Sequence, residues 1–173
     1  MAIMYSQPKL NKNKAIIVDL DSTLCNVDHR IHFIVNDKTP AQDRFGNSNW
    51  ERFYAELIND TPNDWCVMLI KGMWKIGVKP VYLTGRPEKY RDLTLQWFNR
   101  FKDEPLTYSY VKNNLYMRHD DDFTKDCFMK KTLFKRLIEP NYDIVFCLDD
   151  RKQVIDMFRS IGAVCLDVAG NTH

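Results

Sequence analysis

The sequence predicts an α/β fold: a parallel sheet flanked by helices on both faces, with a small insertion after the first strand. Three observations predict it. Apolar runs alternate with amphipathic segments along the 173 residues. The runs that read as strands are continuously apolar, as strands buried on both faces are. Polar groups follow these runs directly, at the carboxyl ends where such sheets keep their ligand crevice.

Each element has its own signal. Residues 1–13 read as a short polar arm with no sustained apolar stretch of a secretory signal, and 14–173 as a single domain. Ala15–Val18 is a short buried strand. The alternation breaks after Arg30, which predicts an insertion over about 30–60 that covers the crevice. Within it, Ser48-x-x-Glu51 has the spacing of a capping box. The helix it opens carries Trp50, Phe53, Tyr54, Leu57 and Ile58 on one face. Thr61-Pro62 reads as the start of another helix, with Cys66, Leu69, Ile70 and Met73 inward and Gly77 as its stop. Val81–Leu83 is a second strand, and Pro87 opens a helix with Tyr90, Leu93, Trp97 and Phe101. Leu106–Tyr110 reads as a further strand. A helix over Asp126–Ile138 follows, then an apolar strand at Ile144–Leu148. A helix with Val154, Ile155, Phe158 and Ile161 stops at Gly162, and Ala163–Val168 is the last strand.

Composition excludes several classes. A hydrophobic share of 45% and a charged share of 28% fit a globular protein, and no apolar stretch reaches membrane-span length. The expected setting is the cytoplasm. Cys25, Cys66, Cys127, Cys147 and Cys165 are scattered without a CxxC, so they read as small core residues in a reducing compartment. His29 and His32 lack further partners at ligand spacing for zinc. A net charge of +2 lacks the basic excess of a protein that coats nucleic acid, yet allows recognition of a nucleic-acid end.

The chemistry gathers at the strand ends. Asp19 and Asp21 follow the first strand, Thr84 the second, and Asp149-Asp150 the Ile144–Leu148 run. Ionised carboxylates brought to one edge need a cation. An oxygen-only donor set, Asp19, Asp21, Asp149 and Asp150, points to a hard ion, Mg²⁺, and so to phosphate chemistry. Asp19 is then placed to attack phosphorus, and Asp21 to protonate the leaving alkoxide and later to take a proton from water. That role asks for a raised Asp21 pKa, which the charge of Asp19 and of a phosphate would favour. Thr84-Gly85-Arg86 offers a hydroxyl, an unhindered backbone N–H and a guanidinium to a phosphate. On a helical wheel of 126–138, Lys130 falls in the middle of an apolar arc made by Cys127, Met129, Leu133, Phe134, Leu137 and Ile138. Lys131 lies towards the edge of that arc, and Lys135 and Arg136 point away. A buried ammonium needs a partner, and Asp126 stands one turn earlier on the same face. Lys130 is therefore expected to reach into the site. Gly72–Gly77 mimics the glycine spacing of a phosphate-binding loop, but Val78-Lys79 follows it and it ends a helix, so no ATP-binding motif is present. His119-Asp120-Asp121-Asp122 reads as a solvated loop.

Together, Asp19-Leu-Asp21-Ser-Thr23, Thr84, Lys130 and Asp149-Asp150 resemble the four motifs of the haloacid dehalogenase superfamily of phosphotransferases. The paired Asp19 and Asp21 resemble its phosphatases. The stretches VYLTGRPEKYR, TKDCFMKKTLFKRLI and CLDDRKQVIDMFRSIGAVCLDVA are similar to the 3′-phosphatase domains of bacteriophage polynucleotide kinase-phosphatases, over about Lys14 to Val168. Ser22 stands where that family commonly has Gly, and 31–60 is longer and more aromatic. The resemblance implies a Rossmann-like parallel sheet with a cap. It also implies Asp19 as nucleophile, Asp21 as general acid/base, Arg30 and Arg86 as phosphate contacts, Asp126 supporting Lys130, and Asp149 and Asp150 holding Mg²⁺.

Three functions follow from these residues. The first is a Mg²⁺-dependent phosphatase acting on 3′-phosphates of polynucleotide ends. The second is a 5′(3′)-nucleotidase acting on free (deoxy)nucleoside monophosphates. The third is a phosphate-binding module without turnover. An open cap would admit a strand, and a closed aromatic pocket would fit a single base. The oligomeric state is open.

Overall fold

The computed structural model describes residues 12–35 and 48–169. Most of the polar arm, the middle of the 30–60 insertion and the side chain of Ser48 lie outside the described residues.

β1 (Asn13–Val18) runs through the centre of a five-stranded, all-parallel sheet. On one side lie β4 (Lys79–Pro87) and then β5 (Leu115–Arg118); on the other lie β6 (Tyr142–Asp149) and then β7 (Cys165–Asp167). The chain builds outward from β1 to β5 and then returns to β6 on β1's other side. The ends of β1 and β6 therefore flank the switch point where such sheets open a crevice.

The apolar run of β1 works on both faces because successive side chains point opposite ways. Ile16 and Val18 enter one core with Tyr82, Trp97, Phe98 and Leu115. Ala15 and Ile17 enter the other with Leu83, Phe134, Ile155 and Phe158. The first core is roofed by α3 (Asp64–Lys75) and α4 (Arg91–Phe98), the second by α6 (Asp126–Leu133) and α7 (Lys152–Ser160). The helical path of α6 continues as a π-turn over Phe134–Ile138. Gly77 (φ 83°) and Gly162 (φ 85°) end α3 and α7 in the left-handed conformation, as their positions in the sequence predict. Cys25, Cys66, Cys147 and Cys165 are buried, Cys127 is half-buried, and all five are free thiols.

The insertion has a defined base. β2 (Cys25–Asn26) and β3 (Thr61–Pro62) pair antiparallel, so the chain leaves after β2 and returns at β3. Between them stand α1 (Asp28–Ile31) and α2 (Ser48–Ala55), the latter prolonged by a 3-10 turn over Glu56–Asn59.

Three sequence expectations are corrected. Thr61-Pro62 is a strand, not a helix start: a proline pushes the residue before it towards extended geometry, and both residues pair with β2. The helix begins at Asp64. Pro87 ends β4 by pairing with Arg118, and a 3-10 turn over Glu88–Tyr90 separates it from α4. Leu106–Tyr110 is no strand. Tyr108–Lys112 form the short helix α5, where Tyr110 stacks edge-on against Trp74 and donates its hydroxyl to the Pro80 carbonyl. The outer strand is instead β5.

Candidate active site

Asp19 stands one residue past β1, its N–H bonded to the Leu148 carbonyl at 3.1 Å. β6 delivers Asp149 beside it. Lys130, from the middle of α6, reaches between them: Nζ lies 2.7 Å from Asp19 Oδ1, 2.8 Å from Asp149 Oδ2 and 3.6 Å from Asp126 Oδ2. Its side chain is 2% exposed, whereas Lys131, Lys135 and Arg136 face solvent, as the helical wheel requires. Burial alone would lower the Lys130 pKa; Asp149, Asp19 and Asp126 outweigh it and raise it well above the ordinary value, so the ammonium is permanent.

Asp19, Asp149 and Asp150 bring carboxylate oxygens within 4.8 Å of one another, the one group of this kind among the described residues. One ammonium does not balance three acids. Burial, with the charges of Asp149 and Asp150 added, holds Asp19 well above its usual range despite Lys130. Burial and then Asp149 push Asp150 up to about 6. Such an oxygen-only group, short of positive charge, fits a hard divalent cation.

Asp21 is not in that group. Its carboxylate is 22% exposed and is gripped from behind by two fully buried guanidiniums. Arg30 Nη2 donates to it at 2.5 Å and Arg86 Nη2 at 2.6 Å. Both arginines also bond Asp60, Arg30 through Nε at 2.6 Å and Nη2 at 2.7 Å, and Arg86 at 3.0 Å. The Phe53 ring lies 4.0 Å from the Arg30 guanidinium. The proton-donor role expected of Asp21 asks for a raised pKa; in the free protein the reverse holds. Burial raises it, but Arg86 and Arg30 together outweigh burial and hold the carboxyl well below the usual carboxylate range.

The sign of this shift gives a test. A depressed folded pKa stabilises the protein above the unfolded value, and the stabilisation is lost as pH falls through the folded one. Asp21→Asn leaves two buried cations short of a partner and is expected to cost about 3 kcal/mol near neutral pH. In urea titrations the deficit stays constant from high pH down to about 5, and narrows only below about 4, where Asp21 of the unfolded wild-type chain takes up a proton while the folded one is still ionised.

The remaining predicted residues come together at the same edge. Thr84 is buried, and its Oγ1 accepts from the Arg86 N–H at 3.2 Å. Gly85 is required by close approach: a Cβ there would stand 2.6 Å from Asp126 Oδ1. Asp126, at the start of α6, accepts from Arg118 Nη2 at 3.0 Å and lies 3.6 Å from Arg151 Nη1. Burial raises its pKa, but Lys130, Arg151 and Arg118 together lower it. Asp126 thus supports Lys130 at longer range than Asp19 and Asp149 do, and its closest cation is Arg118. The Asp120–Asp122 run is a solvated loop, as its charge predicts, and is anchored at two points: Asp120 accepts from the Lys89 N–H and the Asp122 carbonyl from Arg118. Ser22 takes a left-handed φ of 62°, the reason a glycine suits that position, and its N–H bonds the Cys25 carbonyl at 2.9 Å.

Three residues escaped the sequence reading: Asp60, Arg118 and Arg151. Asp60 is a lone acid before Thr-Pro, and its role exists only because the insertion folds back. Arg118 ends a strand too short to stand out. Arg151 directly follows Asp149-Asp150, so its position was the one available signal.

Above these groups opens a cavity of about 620 Å³. Asp19, Asp21, Lys130 and Asp150 line its floor, and the insertion supplies Ile31, Trp50, Phe53 and Tyr54 as an apolar wall. Among the described residues no helix is long and apolar enough to cross a membrane.

Comparison with known proteins agrees with this geometry. Residues 45–173 match the sequence model of the polynucleotide kinase PNKP phosphatase domain. An 82-residue stretch is 31% identical to a protein of Autographa californica nuclear polyhedrosis virus named as a bifunctional polynucleotide kinase/RNA ligase, covering 47% of this chain and 11% of that one. A chain in a solved Pnkp1/Rnl/Hen1 RNA repair complex is 28% identical, with a TM-score of 0.67 over 95% of this chain and 45% of its own length. A second Pnkp1/Rnl/Hen1 complex gives 28% and 0.66 over 96% and 49%. The class C acid phosphatase from Bacillus anthracis, 18% identical with a TM-score of 0.59 over 84% of this chain and 55% of its own, shares the fold. The chain spans less than half the length of the PNKP-type relatives it matches. With its parallel sheet and its acids at the ends of β1 and β6, it belongs to the PNKP phosphatase domain family, haloacid-dehalogenase-like in fold and a phosphoric monoester hydrolase in class.

Proposed function

We propose that this protein removes 3′-phosphates from polynucleotide ends through a phospho-aspartate on Asp19, with Mg²⁺ as cofactor. The observation that carries the reading is the pair of opposed environments of Asp19 and Asp21. One carboxylate sits against Lys130 and two further acids; the other, two residues away, is fixed by two guanidiniums. Environments that divide two neighbouring acids suit a division of labour between them.

In the first step an Asp19 oxygen bonds to phosphorus and the bond to the 3′-oxygen breaks. The leaving oxygen takes a proton from Asp21 and departs as a free 3′-hydroxyl. In the second step water attacks phosphorus, gives a proton to Asp21, and releases inorganic phosphate and the Asp19 carboxylate. Asp19, Asp149 and Asp150 would hold Mg²⁺, which would neutralise these acids and the phosphate oxygens. Lys130 adds fixed positive charge beside Asp19. Arg30 and Arg86, expected from the sequence as phosphate contacts, are fully buried against Asp21 and Asp60 and do not line the cavity, so they act through Asp21 by setting its direction. A bound phosphate adds negative charge next to Asp21 and shifts its pKa upward from the depressed free-state value, towards proton donation.

The polynucleotide reading draws on the family and on the names of the relatives, which are polynucleotide and RNA repair proteins. The apolar wall favours a second reading, hydrolysis of free nucleoside monophosphates. Release of p-nitrophenol from p-nitrophenyl phosphate is expected with Mg²⁺ and is expected to stop with EDTA. Metal-independent release would remove the cofactor assignment, and no release would leave a phosphate-binding module. A panel of 3′-phosphorylated oligonucleotide against 3′- and 5′-mononucleotides then separates the two enzymes; faster turnover of the free nucleotides would select the nucleotidase.

A further inference from the structure

One buried acid has no part in the reaction proposed above. Asp60 is fully buried, and it is the one buried acid among the described residues that neither lines the cavity nor joins Asp19, Asp149 and Asp150. It stands at the return of the insertion, directly before β3. Its carboxylate closes a ring of four side chains. Arg30 grips Asp60 with Nε at 2.6 Å and Nη2 at 2.7 Å, and Arg86 grips Asp21 with Nε at 3.1 Å and Nη2 at 2.6 Å. Each Nη2 then reaches across to the other acid, Arg30 to Asp21 at 2.5 Å and Arg86 to Asp60 at 3.0 Å. Two acids and two guanidiniums balance in charge. The backbone of Asp60 is fixed as well. Its N–H bonds the Leu57 carbonyl at 3.2 Å, and its own carbonyl accepts from Trp97 Nε1 at 2.7 Å and from the Arg100 guanidinium.

Resting on the phosphatase reading above, we propose that Asp60 is a positioning residue for the first chemical step: through Arg30 and Arg86 it holds the Asp21 carboxyl in the direction of the leaving oxygen. The same two Nη2 atoms serve both acids, so the place of Asp60 fixes the place of the donors that meet Asp21. Bidentate carboxylate contacts set the plane of a guanidinium as well as its distance. Arg30 is fixed completely, because its remaining nitrogen, Nη1, donates to the Phe53 carbonyl at 3.1 Å. Arg30, Phe53 and Asp60 belong to the start, middle and end of the insertion, so its closure on Arg86 of β4 is what aims the acid. An amide at position 60 breaks the ring. It offers one acceptor oxygen where the carboxylate uses two, and its NH₂ faces a guanidinium donor. Asp21 then keeps its arginines but loses the fixed direction in which they hold it. A misplacement of about 1 Å in a group that acts in the transition state costs up to about 100-fold in rate.

The test separates loss of aim from loss of fold by the leaving group. An alkoxide needs the Asp21 proton as it departs, whereas p-nitrophenolate, a far weaker base, leaves without one. The alkyl substrate is whichever of the 3′-phosphorylated oligonucleotide and the nucleoside monophosphates wild type turns over faster; the aryl substrate is p-nitrophenyl phosphate, and Mg²⁺ is present throughout. The quantity compared is kcat/KM, which reports the first phosphoryl transfer. Asp60→Asn is expected to lower it by about 10- to 100-fold on the alkyl substrate and by less than about 3-fold on the aryl one. Asp60→Glu keeps the charge balance but displaces the acceptor oxygens by one methylene. It is expected to fold and to show the same selective loss, and it decides the matter if Asp60→Asn does not fold. Full alkyl activity in Asp60→Glu would make Asp60 a counter-charge alone and overturns the proposal. Equal losses on the two substrates, or none, overturn it while leaving the phosphatase reading intact. Failure of both variants to fold, read by circular dichroism, assigns Asp60 to the fold and rejects the proposal as well. Wild type that releases phosphate from no substrate overturns the phosphatase reading, and this step with it.

Discussion

Asp19→Asn is expected to lower turnover by about 10⁴-fold or more while the protein keeps its fold. The amide is isosteric with the carboxylate. Its carbonyl oxygen can still accept from the Lys130 ammonium, which now stands 2.7 Å from Asp19 Oδ1. What disappears is the negative oxygen that bonds to phosphorus, and none of the neighbouring acids replaces it. Asp149 already shares Lys130 and takes the Arg151 N–H at 3.0 Å, and Asp21 is turned into two guanidiniums. Stability moves little because ionised Asp19 is unfavourable where it sits. Burial, with Asp149 and Asp150, holds its folded pKa well above the ordinary value. An acid shifted upward destabilises the fold as pH rises through the interval between its unfolded and folded pKa, so a neutral amide relieves that cost near neutral pH. Without divalent cation the melting temperature is therefore expected to be unchanged or slightly higher. With Mg²⁺ the rise in melting temperature is expected to be smaller than in wild type, since a ligand has been lost. The measurements are single-turnover hydrolysis and thermal melts with and without Mg²⁺. Wild-type rates in the variant would exclude Asp19 as the nucleophile.

The sequence reveals this site unevenly, for physical reasons. Asp19 is legible because it ends an apolar run buried on both faces, and acids at such a position sit at the crevice. Lys130 is legible because helical periodicity puts a charge where only apolar side chains belong, and the structure buries it as that pattern requires. Asp60 is not legible. It carries no local pattern, and its two guanidinium partners come from 30 and 26 residues away, joined only when β2 and β3 close the insertion. The depressed pKa of Asp21 is hidden for the same reason, since it is a property of two arginines from separate elements. In the fold, the central strands read correctly because they are continuously apolar. The outer strand was misplaced because β5 is four residues long and ends in Arg118, while the aromatic stretch before it imitates a strand's alternation. Local chemistry decides the middle of the sheet, and tertiary closure decides its rim.

The second large effect is expected at Lys130, and the next residue provides its control. Lys130→Met is expected to reduce turnover by about 10³-fold or more, because a preorganised charge beside the reacting groups is lost. Lys131→Met should stay close to wild type, since that side chain faces solvent. The methionine fills the path of the lysine stem, so the variant isolates the ammonium from the packing of α6 against the second core. Stability should fall too, because Asp19, Asp149 and Asp126 all lie within 3.6 Å of Nζ and lose it together. Removing one partner of a buried ion pair costs about 3–5 kcal/mol. Here part of that loss is recoverable, because two of the stranded carboxylates belong to the group suited to a divalent cation. Mg²⁺ is therefore expected to raise the melting temperature of Lys130→Met by more than that of wild type. If activity is then measured under saturating Mg²⁺ at a temperature where circular dichroism shows both variants folded, the remaining difference is chemical. Equal losses at positions 130 and 131 would mean that the ammonium seen between Asp19 and Asp149 contributes nothing to the reaction. A loss at Lys130 that Mg²⁺ abolishes completely would make it a structural counter-charge, and the fixed positive charge beside the nucleophile would have to come from elsewhere.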